Sequence, residues 1–437
     1  MGSNPTASAK NNASNEKGGM RLGIFLVILF CTGWFSGSTH IPIDLDELAW
    51  VHDAEVYQWR ISNDWNKFRW NTREKSVEWS DEDFRLFDQP HLVKYIYGFV
   101  LSTTNINPWN NQNRANNLGL FINQKVSGQY LLTDDSSPSV FGQVTIDAII
   151  ICRLVSTTAG VLFFFILYFF LTYRFSILLS STTLLLLTTN PTLYYNLHLA
   201  TSDSISLFFI TITLIFFYFL FFNTHINRKA RFILLFLSAI SAAVAVSTKI
   251  NGWLLAYVFL IGQILLDHGY QWINWKIFLI KTGFWFLLFI GTYVYLQPEL
   301  WTSIPNGLLR FFSHRFTQQD QFVYSFGAMG VFEYHKWLFA LFTQSSHFIV
   351  IVFKYFFLLI ALIKLIKVSI SIFPKKIYLL KQVIIVGTIW LQFFYYARIG
   401  FDRYAIWPII ILTILSSWII TRQHSNLRIP VFDKLLT

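Results

Sequence analysis

The sequence has little charge and almost no cysteine. Only 13% of its 437 residues are Asp, Glu, Lys or Arg, about half the roughly 25% of an average soluble domain, which argues against an ordinary soluble enzyme. Its two cysteines, Cys31 and Cys152, lie in or beside apolar runs. Neither a disulfide framework nor a thiolate metal site is suggested, and the redox compartment stays open. The chain also lacks a GxGxxG loop, a phosphate-binding P-loop, an HExxH pair and any solenoid-type repeat. Transport driven by nucleotide hydrolysis is therefore not expected of this chain alone. No obligatory metal is expected either, although the acidic first loop leaves a divalent cation open.

What the chain does have is apolar surface: 54% of residues are hydrophobic and 19% aromatic. That content, spread over long runs, excludes disorder as the main state. A membrane span needs about 20 mostly apolar residues, and stretches such as Val155–Leu171 and Ser204–Phe222 carry no ionisable side chain. The expected fold is an all-α polytopic membrane protein with ten apparent spans, at 22–37, 148–171, 175–192, 204–222, 232–248, 251–266, 279–297, 345–363, 380–397 and 404–421. Residues Met1–Met20 are polar, and no small-residue cleavage site follows the first run, so a disordered tail and a retained first helix are expected.

The formal net charge is +11. Its basic residues sit mostly in short connections, 17 on one side against six on the other after the first loop. This is the positive-inside pattern; it implies cytoplasmic termini and gives no reason to invoke nucleic acid. The organisation expected is a tail over 1–20, a first helix over 21–37, an extracytoplasmic loop over 38–147 and helices two to seven over 148–297. A second extracytoplasmic segment follows over 298–344, then helices eight to ten and a tail over 345–437.

The first loop is far too long for a connector. It holds 15 of the 23 acidic residues against nine basic ones. Asp46–Trp59 reads as an amphipathic interfacial helix with Trp50, Ala54 and Tyr57 on one side and Asp53, Glu55 and Gln58 elsewhere, and His91–Leu101 reads as a second. Asn105–Pro138 has no periodicity and reads as loop. The segment Pro298–Gln344 mixes aromatics with His314, Arg315, Asp320, Glu333, His335 and Lys336; it reads as a lid or wall that touches an acceptor, or as a solvated loop.

Ionisable residues gather at the outer ends of the spans. Asp44, Asp46 and Glu47 follow the first span; such carboxylates suit a general base at a partly desolvated interface, or simply a helix N-terminus. Lys94 lies about one turn after Pro90, where it can hold a lipid-linked phosphate as a point charge or snorkel to headgroups. Arg153, Asp203 and Lys249 stand at other span ends, as phosphate and acceptor groups or as anchors and ion pairs. Their convergence on one face supplies cations for an anionic lipid carrier and carboxylates for an acceptor.

In order and spacing over roughly residues 22–410, these motifs resemble the GT-C superfamily of membrane glycosyltransferases, in the branch of the protein O-mannosyltransferases and the lipid A aminoarabinose transferase. The resemblance rests on Asp46-Glu47 after the first span, Gln89-Pro90-His91-Leu92-Val93-Lys94, and Arg153-Leu154-Val155-Ser156 through Gly160. It extends to Asn190-Pro191-Thr192 through Asp203, Val246-Ser247-Thr248-Lys249-Ile250-Asn251-Gly252, and Asp402-Arg403-Tyr404-Ala405-Ile406-Trp407-Pro408. His91 stands where many relatives have a second proline, Gln89 where they have His or Lys, and the 105–138 insertion has no familiar counterpart.

The resemblance implies inverting transfer of a sugar from a polyprenyl- or dolichyl-phosphate carrier to a protein, glycan or lipid acceptor. The reaction would lie on the extracytoplasmic or lumenal side of a plasma membrane or endoplasmic reticulum. It implies Asp46 as catalytic base, with Glu47 and Asp203 supporting it or the acceptor. Lys94, Arg153, Lys249 and Arg403 would face the carrier phosphate, with His91 and Gln89 in the same binding strip. A secondary transporter or flippase of an amphipathic anionic lipid is the alternative; it wants ionisable residues near mid-membrane, whereas here the charges cluster at the outer edge and Lys354 is the only clear mid-span cation.

Overall fold

The computed structural model describes residues 33–35, 37, 40–68, 90–109, 131–132, 140–222, 226–264, 275–301, 329–343 and 406–421. Gln89, Lys354, Arg403, the spans expected at 345–363 and 380–397, and most of 105–138 lie outside them. Among the described residues the protein is helical, and the one β contact is an isolated antiparallel bridge between Pro42 and Leu131.

Among the described residues, four helices are long and apolar enough to cross a membrane: α4 (Gln143–Arg174), α7 (Asp203–Phe222), α8 (Arg228–Thr248) and α10 (Trp275–Leu296). Their apolar residues run around the whole helix, as expected where one side meets neighbours and the other lipid. On α10, Trp285 and Phe289 are buried while Leu287 is 73% exposed. The stretches expected to span at 175–192 and 251–266 are shorter helices. The first forms α5 (Ile177–Thr188) and then α6 (Pro191–His198), because Asn190 caps a new helix by accepting from the Leu193 amide, with Pro191 in its first turn. The second begins as a 3₁₀ turn, Ile250–Trp253, before α9 (Leu254–Gly262).

At one end of the long helices lie three short ones: α1 (Leu45–Asp53), α2 (Val56–Ile61) and α3 (Leu92–Thr103). The single amphipathic helix expected over 46–59 is thus two, broken at Ala54–Glu55. Asp53, placed on the polar side by periodicity, is 6% exposed because Lys94 meets it from α3. The second expected helix is α3. Gly98 lets α3 approach α2: a Cβ there would sit 2.4 Å from the Ala54 carbonyl. Val51, Ala54, Val93, Tyr97, Ile149 and Ala200 share one core, which welds the short helices to α4 and to the α6–α7 junction. Two further helices are described, α11 (Val331–Thr343) and α12 (Ile406–Thr421); α12 packs beside α5.

Candidate active site

The α1 N-terminus is organised by a reciprocal capping box. Asp44 caps the helix through its side chain, and its own amide donates to Glu47 Oε2 at 3.0 Å. Asp44 Oδ1 accepts from the Asp46 amide at 2.9 Å, and Asp44 Oδ2 from the Tyr195 hydroxyl at 3.3 Å. Asp46 itself is half-buried on the first turn.

Glu47, one residue on, has turned inward and is fully buried. Arg153 of α4 grips it in a fork, Nε to Oε1 at 2.7 Å and Nη2 to Oε2 at 2.6 Å, while the Ala200 amide adds a bond to Oε1 at 2.6 Å. The same guanidinium donates to the carbonyls of Ile41 and Pro42 at 2.7 and 2.8 Å. Glu47, expected beside an acceptor, and Arg153, expected beside a phosphate, are thus brought together. Arg153 has no exposed surface, and its donors are spent on pinning the chain before α1 to α4.

The other cations are paired in the same way. Lys94 is wholly buried, with Nζ 3.4 Å from Asp53 Oδ2 and 6.0 Å above the Trp50 ring. Lys249, the last-turn cap of α8, bonds Asp203 at the head of α7, which also accepts from Thr201 Oγ1 at 3.2 Å. Gly252 permits that turn: a Cβ there would meet the Val246 amide nitrogen at 2.7 Å. Lys249 keeps a little exposure, 13% of its side chain, where Lys94 and Arg153 keep none.

His91 lies apart from these pairs. Its Nε2 is 3.0 Å from Glu299 Oε2, in the 3₁₀ turn Pro298–Leu300 after α10, and its amide donates to Gln297 Oε1 at 3.3 Å. Beside it, Arg60 lies 4.6 Å over the Tyr95 ring and 5.3 Å over that of Tyr295. Burial, and then the Glu299 charge, push the Tyr95 phenol well above its ordinary value.

The sequence reading did not single out Asp53 as the Lys94 partner, nor Glu299 and Gln297 at His91. Nor did it find Tyr97, whose hydroxyl donates to the Thr201 carbonyl at 2.8 Å and lies 2.6 Å from Ser156 Oγ. A buried hydroxyl between α3, α4 and the residues before Asp203 leaves no mark in periodicity. Burial holds that phenol protonated, far above its usual 10.0. Among the described residues, no group of three or more His, Cys, Asp or Glu could hold a metal ion.

These elements define an integral, multi-pass, all-helical membrane protein with an ionic cluster under short helices at one end. ArnT from Cupriavidus metallidurans, in a crystal structure bound to undecaprenyl phosphate, matches it with a TM-score of 0.50 at 16% identity, over 92% of this chain. The likeness is one of fold, and the chain aligns to 60% of the ArnT chain's length. No family model and no curated protein matches the sequence.

Proposed function

We propose that the protein is a membrane glycosyltransferase that takes a sugar from a polyprenyl-phosphate carrier and passes it to an acceptor on the extracytoplasmic or lumenal side. The observation that carries the reading is the division of labour within Asp46-Glu47. Glu47 is held inside by Arg153 and the Ala200 amide, whereas its neighbour Asp46 is only half-buried on a capped, fixed helix turn. The fold shared with ArnT, solved with undecaprenyl phosphate, supports a lipid-phosphate donor.

In this mechanism Asp46 takes the acceptor's proton as its oxygen or nitrogen attacks the anomeric carbon from the side opposite the leaving lipid phosphate. The bond from the anomeric carbon to the phosphate oxygen breaks, and its electron pair leaves on the phosphate. Positive charge from Lys249, which keeps some exposed surface, steadies that anion, and Lys94, buried against Asp53, adds to it from further back. Arg153 acts one step back, since it holds Glu47 and so the turn that presents Asp46. Asp203 fixes Lys249. Gln89 and Arg403 stay assigned to the carrier by family resemblance, and neither the reaction nor any residue role requires a metal. Mannose and dolichol are narrower choices that a donor panel decides, and the class of acceptor is decided by varying the acceptor supplied.

The test is incubation of purified protein with a panel of polyprenyl-phosphate sugars, with released polyprenyl phosphate followed by mass spectrometry. Turnover or slow donor hydrolysis is expected, reduced about 10²- to 10⁴-fold in Asp46→Asn, the usual range for one positioned proton-transfer group. Full turnover in Asp46→Asn removes the base assignment. Tight carrier binding without cleavage, with acceptors supplied, favours a lipid transporter.

A further inference from the structure

His198, the last residue of α6, has both ring nitrogens on backbone carbonyls. Nδ1 is 2.5 Å from the Tyr194 oxygen and Nε2 is 2.7 Å from the Trp34 oxygen, and the side chain has no exposed surface. A neutral imidazole has one N–H donor and one lone-pair nitrogen, so it satisfies only one of these carbonyls and sets a lone pair against the other. Only the imidazolium donates to both. The Trp34 ring lies stacked on the imidazole, centroids 4.6 Å apart and 29° between planes, a placement that favours a cation over the ring face.

The two carbonyls belong to different parts of the molecule. Tyr194 is one turn back on α6, and α6 is fixed: Asn190 caps it and also donates through Nδ2 to the Leu341 carbonyl on α11 at 2.8 Å. Trp34 lies at the end of the first apolar run, ahead of the stretch that leads to Asp44 and α1. Arg153 holds that stretch at Ile41 and Pro42; His198 holds it at Trp34.

We propose that His198 is a proton-operated clasp: as imidazolium it ties the end of the first apolar run to α6, and as neutral imidazole it releases the Trp34 carbonyl and leaves Arg153 as the nearer tether.

Burial draws the imidazole's pKa below its ordinary 6.5, the two carbonyls oppose that, and Arg153 on α4 adds to the lowering. Arg153 is the charged group acting on the ring among the described residues, and its charge is met by Glu47. The other titratable neighbour is Tyr194 on α6 itself, ring to ring at 4.4 Å. The sign follows: the clasp is closed below the lowered pKa of His198 and opens as pH rises through that pKa, before the ordinary histidine value is reached. That opening loosens the delivery of α1 is a consequence that rests on the transferase reading; the clasp does not.

The test reads Trp34 rather than turnover. The full chain in lipid nanodiscs is labelled with fluorotryptophan, and Trp34 is assigned by its loss in Trp34→Phe. From about pH 4.5 to 8, the window in which histidines titrate, its fluorine resonance should shift with an inflection below the ordinary histidine value. His198→Gln, with one donor and one acceptor group, should abolish the shift. A flat resonance, or the same inflection in His198→Gln, overturns the proposal. If His198→Gln fails to fold, amide exchange of the unaltered protein, corrected for intrinsic rates, carries the test. Peptides spanning Trp34 should be better protected at the acid end, and equal protection overturns it. Because neither readout needs a donor, failure of the clasp and failure of the transferase reading stay separate.

Discussion

Neighbouring carboxylates on one turn have different fates here. Asp46 and Glu47 differ by a rotation of about 100° around the helix, and that rotation sends one into the protein and leaves the other at a partly exposed edge. Glu47→Gln removes the charge but keeps the shape, leaving Arg153 buried without its counter-ion. Breaking a buried pair in this way costs about 3 to 5 kcal/mol, so a large drop in thermal midpoint and in folded yield is expected from a fluorescence melt in detergent. An unchanged midpoint would show that the Arg153 fork contributes little. Asp46→Asn, by contrast, should melt like the parent while losing turnover. The pair of variants separates holding from chemistry. Lys249 and Asp203 invite the same comparison: Lys249→Met should weaken carrier-lipid binding, measured by tryptophan quenching with polyprenyl phosphate, whereas a purely structural Lys249 would leave that binding intact in whatever folds.

Elements are placed by close approaches as much as by pattern. The joint between α2 and α3 depends on Gly98, where a side chain would collide with the Ala54 carbonyl and the Tyr57 Cβ, both at 2.4 Å. Gly98→Val should therefore push α3 away and disturb Lys94, which α3 carries against Asp53. Overpacking of this kind costs about 1 to 3 kcal/mol. A lower melting temperature together with faster proteolysis of the first loop is the expected outcome, and resistance equal to the parent would count against the contact. The pattern of apolar residues did foretell both short helices, but it ran the first one through Ala54–Glu55. Periodicity cannot see that break, because the two halves differ in what they pack on: Trp50 and Val51 share a core with α4, whereas Val56 and Trp59 sit with Phe68 and Tyr95.

On the scale of the whole molecule, the basic connections of the sequence predict which end of the helices faces the cytoplasm, and on that expectation the short helices lie on the opposite side. Single cysteines placed in a background lacking Cys31 and Cys152 test this directly. A cysteine at the exposed position of Ser62, between α2 and the 3₁₀ turn Trp65–Phe68, should react with an impermeant maleimide added outside intact cells. One at Lys229, in the exposed first turn of α8, should react only after permeabilisation. The reverse pattern would invert the topology and move the proposed chemistry to the cytoplasmic face.

Hydrophobicity and its length scale determined the class of this protein from sequence alone. A chain with long uncharged runs must hide them in lipid and must satisfy its backbone within each segment, which only helices or closed barrels can do. Charges at span ends marked where ion pairs gather, since burial of charge is costly in mid-membrane and less so at the ends. What periodicity could not decide is which charge meets which. Lys94 with Asp53, Arg153 with Glu47, and His91 with Glu299 are separated by 41, 106 and 208 positions. Pairing over such distances depends on which helices lie side by side, and that follows from packing shape rather than from any local rule. The tertiary structure alone decided that Glu47 and Arg153 spend their charge on each other, and that His198 stands between two carbonyls, because both facts exist only where separate helices converge.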